Sequence, residues 1–257
     1  MMSTPAIACT PVLYGEHLHG FYCAPDTPPS GAVLLVPPLF EEKRCAHRAL
    51  GTCARALAQA GVAVLHIDLY GTGNSHGALT EIGVEQWLTN IAQAAAYLHA
   101  RCATPLTLLG CRAGALLAAQ TWRRGLSADR CLLWQPVVAG RGYLGQLRTR
   151  RMIQNKLTGD TPPEIGDYEV EGESLSPELF AELQALQLPD TLPDAVAVRL
   201  IQYSFNEKLL NEYARLLTSW DAERVPVRRL IGEPFWRPHS PGDYQELAQA
   251  IVAEVTA

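Results

Sequence analysis

Residues 106–118 read Leu-Thr-Leu-Leu-Gly-Cys-Arg-Ala-Gly-Ala-Leu-Leu-Ala. A short apolar strand ending at Gly110, followed by an Ala- and Leu-rich helix from about Ala113, places Gly110-Cys111-Arg112-Ala113-Gly114 on a tight strand-to-helix turn. In a turn with this G-x-x-x-G frame the third residue is aimed outward as a nucleophile, and Ser, Cys or Asp can do that work. Here it is Arg112. A guanidinium stays protonated at any useful pH and cannot attack a carbonyl. Two other chemistries remain. Backbone N–H groups at a helix N-terminus favour an anion, and an Arg adds a planar fork for carboxylate or phosphate. A small acyl or anionic ligand would then lie against Arg112 and the amide of Ala113, with walls from Leu39, Phe40 and Tyr70. The rival is an internal ion pair to Glu41, Glu42 or Asp68.

Two displaced nucleophiles are conceivable. Ser75 lies in Gly73-Asn74-Ser75-His76-Gly77, which matches G-x-S-x-G. A Gly-Ala-Leu-Thr loop follows it, so the helix that the motif requires is missing. Cys111 sits beside Arg112 at a helix N-terminus, where a thiol can be acidified. The turn aims its third residue at the site, however, and the second faces elsewhere. No His, Cys or carboxylate spacing suits a metal, and no cofactor is expected. Gly71-x-Gly73 lacks the third glycine of a dinucleotide fingerprint.

The elements that must position these residues alternate. Residues 6–24 read as a β-hairpin around Tyr14-Gly15-Glu16. Residues 32–37, 62–69, 106–110, 131–138, 195–204 and 225–231 read as strands, the first of them apolar throughout, as in strands buried on both faces. Residues 45–60, 84–101, 113–124, 207–220 and 243–255 read as helices. This alternation predicts a mostly parallel sheet with helices on both faces. Residues 139–193 break the pattern. They are rich in Gly and Pro, carry a basic cluster at Arg148, Arg150 and Arg151, and predict an excursion with only short helical pieces. The expectation is one domain over 1–257 with that excursion or small cap.

Composition narrows the class. Of 257 residues, 48% are apolar and 18% charged, which suits a globule with a sizeable core. A net charge of −5 argues against a nucleic-acid surface. The seven cysteines are odd in number and scattered without a C-x-x-C pair, so reduced, buried thiols are expected. Neither a signal peptide nor a membrane span is visible, and a cytoplasmic location is the expectation.

Nearly the whole chain resembles α/β-hydrolases. Val36-Pro37-Pro38-Leu39-Phe40 stands where those enzymes carry an oxyanion-hole loop. Asp68-Leu69-Tyr70-Gly71-Thr72-Gly73-Asn74-Ser75 resembles their loop after the next strand, and Gly110–Gly114 resembles their nucleophile elbow. The resemblance implies the remaining triad members in the order acid, then His. Glu207 is the available acid after the strand at 195–204, and His239 the only His after the last strand. His17, His19, His47, His66 and His99 lie before or away from that face.

A narrower resemblance also exists. Residues 37–42, 110–117, 133–138 and 232–236 (Pro-Pro-Leu-Phe-Glu-Glu, Gly-Cys-Arg-Ala-Gly-Ala-Leu-Leu, Leu-Trp-Gln-Pro-Val-Val and Gly-Glu-Pro-Phe-Trp) are similar to the exosortase A system-associated hydrolase 2 family. That family implies a setting in exopolysaccharide production and PEP-CTERM protein sorting, with proteins of that machinery as partners. Its elbow also carries Arg, and its name implies an ester or thioester hydrolase or acyltransferase. The residues equally support a degenerate hydrolase that only binds.

Overall fold

In a computed structural model of the chain, residues 7, 9–158, 166–192, 197–238 and 242–257 are described. Two antiparallel strands open it, β1 (Cys9–Tyr14) and β2 (Leu18–Cys23). Then follow β3 (Gly31–Val36), α1 (Phe40–Gln59), β4 (Val62–Ile67), α2 (Val84–Arg101), β5 (Leu106–Cys111), α3 (Ala113–Arg123) and β6 (Arg130–Trp134). An insertion of α4 (Gly140–Thr158), β7 (Glu169–Val170), β8 (Glu173–Ser174) and α5 (Pro177–Ala185) comes next. The chain finishes with β9 (Ala197–Ser204), α6 (Asn211–Trp220), β10 (Val227–Ile231) and α7 (Gln245–Thr256).

Eight strands form one sheet in the order β1-β2-β4-β3-β5-β6-β9-β10. From β4 onward every pairing is parallel, while β2 joins β4 antiparallel. Side chains alternate across a strand, so the apolar runs feed two cores. Leu34, Val36, Leu65, Leu108 and Leu133 pack under α2 and α3. Val33, Leu35, Val64, Leu109 and Leu132 pack under α1 and α7. That explains why strands such as Ala-Val-Leu-Leu-Val show no polar alternation.

Three expectations are corrected. First, α1 begins at Phe40 and not at Cys45, because Leu39 is an extended N-cap and Glu41 and Glu42 occupy the first turn, where carboxylates complement the helix dipole. Second, α4 is a single helix of 19 residues where short pieces were expected. Its three glycines weaken intrinsic propensity, but Tyr143, Leu144 and Leu147 form a buried stripe that tertiary packing secures. Third, Cys9 and Cys23 are directly opposite in the β1–β2 register and form a disulfide. The other five cysteines are free, and all but Cys45 are buried. Residues 159–165 and 193 of the expected excursion, and 195–196 of the strand expected after it, lie outside the described residues. Among the described residues no helix is long and apolar enough to cross a membrane.

Candidate functional site

The turn between β5 and α3 is sharp. Arg112 stands at φ 55°, ψ −123°, outside the regions ordinary side chains favour, and such strain persists only where the surroundings over-determine it. Its N–H donates to Trp134 O at 3.0 Å, and its carbonyl accepts from Ala115 N at 3.0 Å and Val137 N at 3.2 Å. The flanking glycines allow the close approach. A Cβ on Gly114 would lie 2.2 Å from Pro37 O, and one on Gly110 2.4 Å from Ala115 Cα.

The side chain of Arg112 folds onto α1. Nε donates to Glu42 Oε2 at 3.1 Å and Nη2 to Glu42 Oε1 at 3.0 Å, a bidentate pair. Nη1 donates to the carbonyl of Gln135 at 3.3 Å. The guanidinium lies 4.8 Å from the Trp236 ring centre and 6.0 Å from that of Tyr143. Tyr143, from α4, donates its hydroxyl to Glu42 Oε2 at 3.2 Å. Arg150, two α4 turns further on, is 3.9 Å from Glu42 and ion-paired with Glu171 at the β7–β8 turn. Glu171 in turn accepts the Glu41 N–H at 3.2 Å.

The centre of this cluster is buried, with Glu42 only 1% exposed. Burial opposes the charged guanidinium, but Glu42, by charge and hydrogen bonds, outweighs it and holds Arg112 above its ordinary value. Burial, followed by the charge of Glu42, pushes the Tyr143 phenol well up. The arrangement stores a buried ion pair and presents no nucleophile.

No family model matches the chain, and no curated protein matches it. Solved structures do. Est1E from Butyrivibrio proteoclasticus, with ferulic acid bound, aligns over 95% of this chain and 98% of its own at TM-score 0.65 and 17% identity. An esterase from Pyrococcus furiosus aligns over 98% and 92% at TM-score 0.65 and 16% identity. A serine hydrolase without lid from Xanthomonas campestris covers 100% and 96% at TM-score 0.60 and 15% identity. The chain has the α/β-hydrolase fold.

Arg112 stands at the turn between β5 and α3, and of the three carboxylates Glu41, Glu42 and Asp68 it takes Glu42 as its partner. Glu41 pairs instead with Arg44, and Asp68 with Lys43 at 2.6 Å. The β5–α3 turn is therefore covered from within, by a carboxylate from α1 and a phenol from α4. Cys111 points into the core under α1 and α7. Burial drives its thiol well above the ordinary value despite the neighbouring Arg112, so it is not a ready thiolate. Ser75 donates to the carbonyl of Asp68 at 2.7 Å and accepts the His19 N–H at 2.8 Å, which staples its loop to β2.

Glu207 is exposed in the bend after β9, where its carbonyl accepts from Arg229 at 3.0 Å. His239 lies outside the described residues. Ala113 and Leu39 are buried. Tyr70 donates to Glu81 at 3.3 Å, and Phe40 lines a separate cavity. Ser75, Cys111 and Glu207 are not brought together.

Sequence reasoning missed Tyr143 and Gln135. Tyr143 carries no local signal, since only the path of α4 brings it over the elbow. Gln135 stands at φ 44° after β6. It donates to Ile201 O and accepts from Tyr203 N, each at 2.6 Å, while its carbonyl holds Arg112. The Trp-Gln-Pro motif marked the position but not the role. Among the described residues no group of His, Cys, Asp and Glu could hold a metal.

Proposed function

We propose that this chain is a non-hydrolytic protein of the α/β-hydrolase fold, which binds a small acyl or anionic ligand and does not turn it over. The observation that carries the reading is the Arg112–Glu42 pair at the β5–α3 turn, where the resemblance to α/β-hydrolases puts the nucleophile. An elbow without a nucleophile retains at most the residual ~10³–10⁴-fold rate over water that binding and an oxyanion hole supply. An ester or thioester hydrolase or acyltransferase with a displaced nucleophile is the rival. Ser75, with its hydroxyl committed to backbone groups, and Cys111, with a buried thiol, give it little support.

The resemblance at residues 37–42, 110–117, 133–138 and 232–236 supports a place in an exosortase and exopolysaccharide system, with proteins of that machinery as partners. Cytoplasmic residence fits less comfortably with the Cys9–Cys23 bridge, because cytosolic thiols are kept reduced. Labelling with a fluorophosphonate and a thiol-reactive probe, alongside p-nitrophenyl ester turnover, tests the reading. The expected result is no modified Ser or Cys near the elbow and no turnover above background. Robust turnover abolished by Ser75→Ala overturns it.

A further inference from the structure

A cavity of about 570 Å³ opens between α1 and the loop that follows β4, within the range of small-molecule sites. None of the elbow residues lines it. Its apolar side is Phe21, Phe40 and Leu79, and its polar side is Lys43, His66 and Asp68. Phe40 holds a left-handed backbone at φ 54° there, an outlier for a bulky residue.

Two polar residues line this space. His66 is 8% exposed, and its Nε2 is buried without a hydrogen-bond partner among the described residues. Buried polar atoms are almost always satisfied, so an orphan beside a cavity marks where a ligand atom belongs. The Lys43 ammonium has three N–H groups. One meets Asp68 Oδ1 at 2.6 Å and another Thr72 Oγ1 at 2.9 Å, which leaves a third donor.

Charge decides the ligand class. Lys43 and Asp68 neutralise each other. Arg44, at the rim, is engaged by Glu41 and Glu173. Burial, with Lys43 beside it, pushes the His66 imidazole down to about 4, so it is neutral near pH 7. His47 adds in the same direction and Asp68 opposes. No net positive charge awaits an anion, and an uncompensated carboxylate beside Asp68 would be expensive to desolvate. An uncharged carbonyl oxygen accepts from Lys43 without that penalty, and from His66 once its ring presents the Nε2–H tautomer to the cavity.

We infer that this cavity binds a small uncharged acyl compound, an ester or amide, with its carbonyl oxygen between His66 and Lys43 and its apolar body against Phe21, Phe40 and Leu79. This rests on the non-hydrolytic reading above and narrows it to a ligand class and a place. The test titrates matched pairs, methyl phenylacetate against phenylacetate and methyl hexanoate against hexanoate, into the full chain. It follows the His66 ring nitrogens by NMR with labelled histidine and monitors methanol release in the same tubes.

An ester is expected to shift His66 saturably, with its acid at least tenfold weaker. His66→Phe, which keeps a ring, should weaken ester binding at least tenfold. Asn74→Trp, an exposed rim substitution that leaves the core alone, should block it. If no ester moves His66, if acids bind equally well, or if Asn74→Trp leaves the shift intact, the site is wrong while the non-hydrolytic reading stands. Methanol release overturns that reading instead, and a saturable His66 shift beside it leaves the site in place.

Discussion

At the residue scale, the decisive contact is Arg112 with Glu42. Two charges have left water together, and their mutual attraction and hydrogen bonds roughly offset that loss. Removing one partner strands the other. Arg112→Ala should therefore destabilise the fold by about 3–5 kcal/mol, read as a lower urea midpoint, and the double variant Arg112→Met, Glu42→Gln should recover most of the loss. If the separate losses of Arg112→Met and Glu42→Gln simply add in the double variant, the two residues are not coupled. The replacement Arg112→Ser should not create a hydrolase, because Glu42 and Tyr143 still fill the space before the elbow.

His66 makes a separate prediction about pH. Unfolded, it takes a proton near its ordinary value of 6.5, and folded it holds off until about 4. Between those values the unfolded chain carries more protons, so stability falls as pH drops through that window, by about 3 kcal/mol. Urea titrations from pH 7 to 4 should show the slope, and His66→Phe should reduce it.

At the scale of elements, α3 can approach β3 only because Gly114 has no side chain. Gly114→Ala places a Cβ against the carbonyls of Val36 and Pro37. Backbone cannot step aside as a side chain can, so a loss of about 3 kcal/mol is expected, with a matching fall in Tm. The insertion docks by the same device. A Cβ on Gly140 would sit 1.7 Å from Leu183 O, whereas Gly142 and Gly145 face open space. Gly142→Ala and Gly145→Ala should then stabilise α4 by up to about 1 kcal/mol each, while Gly140→Ala loosens α4 from α5. Thermal melts of the three variants check the order. The helix at 84–101 was legible from its apolar stripe, and the one read as 113–124 ends one residue earlier, at Arg123. α4 was not legible, because its glycines and basic residues read as loop until Tyr143, Leu144 and Leu147 find the core beneath them.

At the scale of the molecule, the antiparallel β1–β2 hairpin edges a sheet otherwise built from parallel strands. The Cys9–Cys23 bridge closes a short loop across that edge. Reduction should lower stability by at most about 3 kcal/mol. Denaturation with and without reductant measures it, with Cys9→Ser, Cys23→Ser as the control that should not respond. If reductant leaves the wild type unchanged, the bridge contributes nothing to the folded state.

The sequence alone determined a mostly parallel sheet with helices on both faces and the identity of the residue at the strand-to-helix turn. Those follow from short-range physics, namely apolar runs, turn residues and a G-x-x-x-G frame whose third member is visible as Arg112. Its partner was not determined. Glu41, Glu42 and Asp68 are all carboxylates within reach of the same sheet edge, and choosing among them depends on how α1 starts. Beginning the helix at Phe40 turns Glu42 inward and leaves Glu41 beside Arg44. The closing of the site by Tyr143 and the orphaned nitrogen of His66 likewise depend on helices and loops distant in sequence meeting in space, which no local pattern encodes.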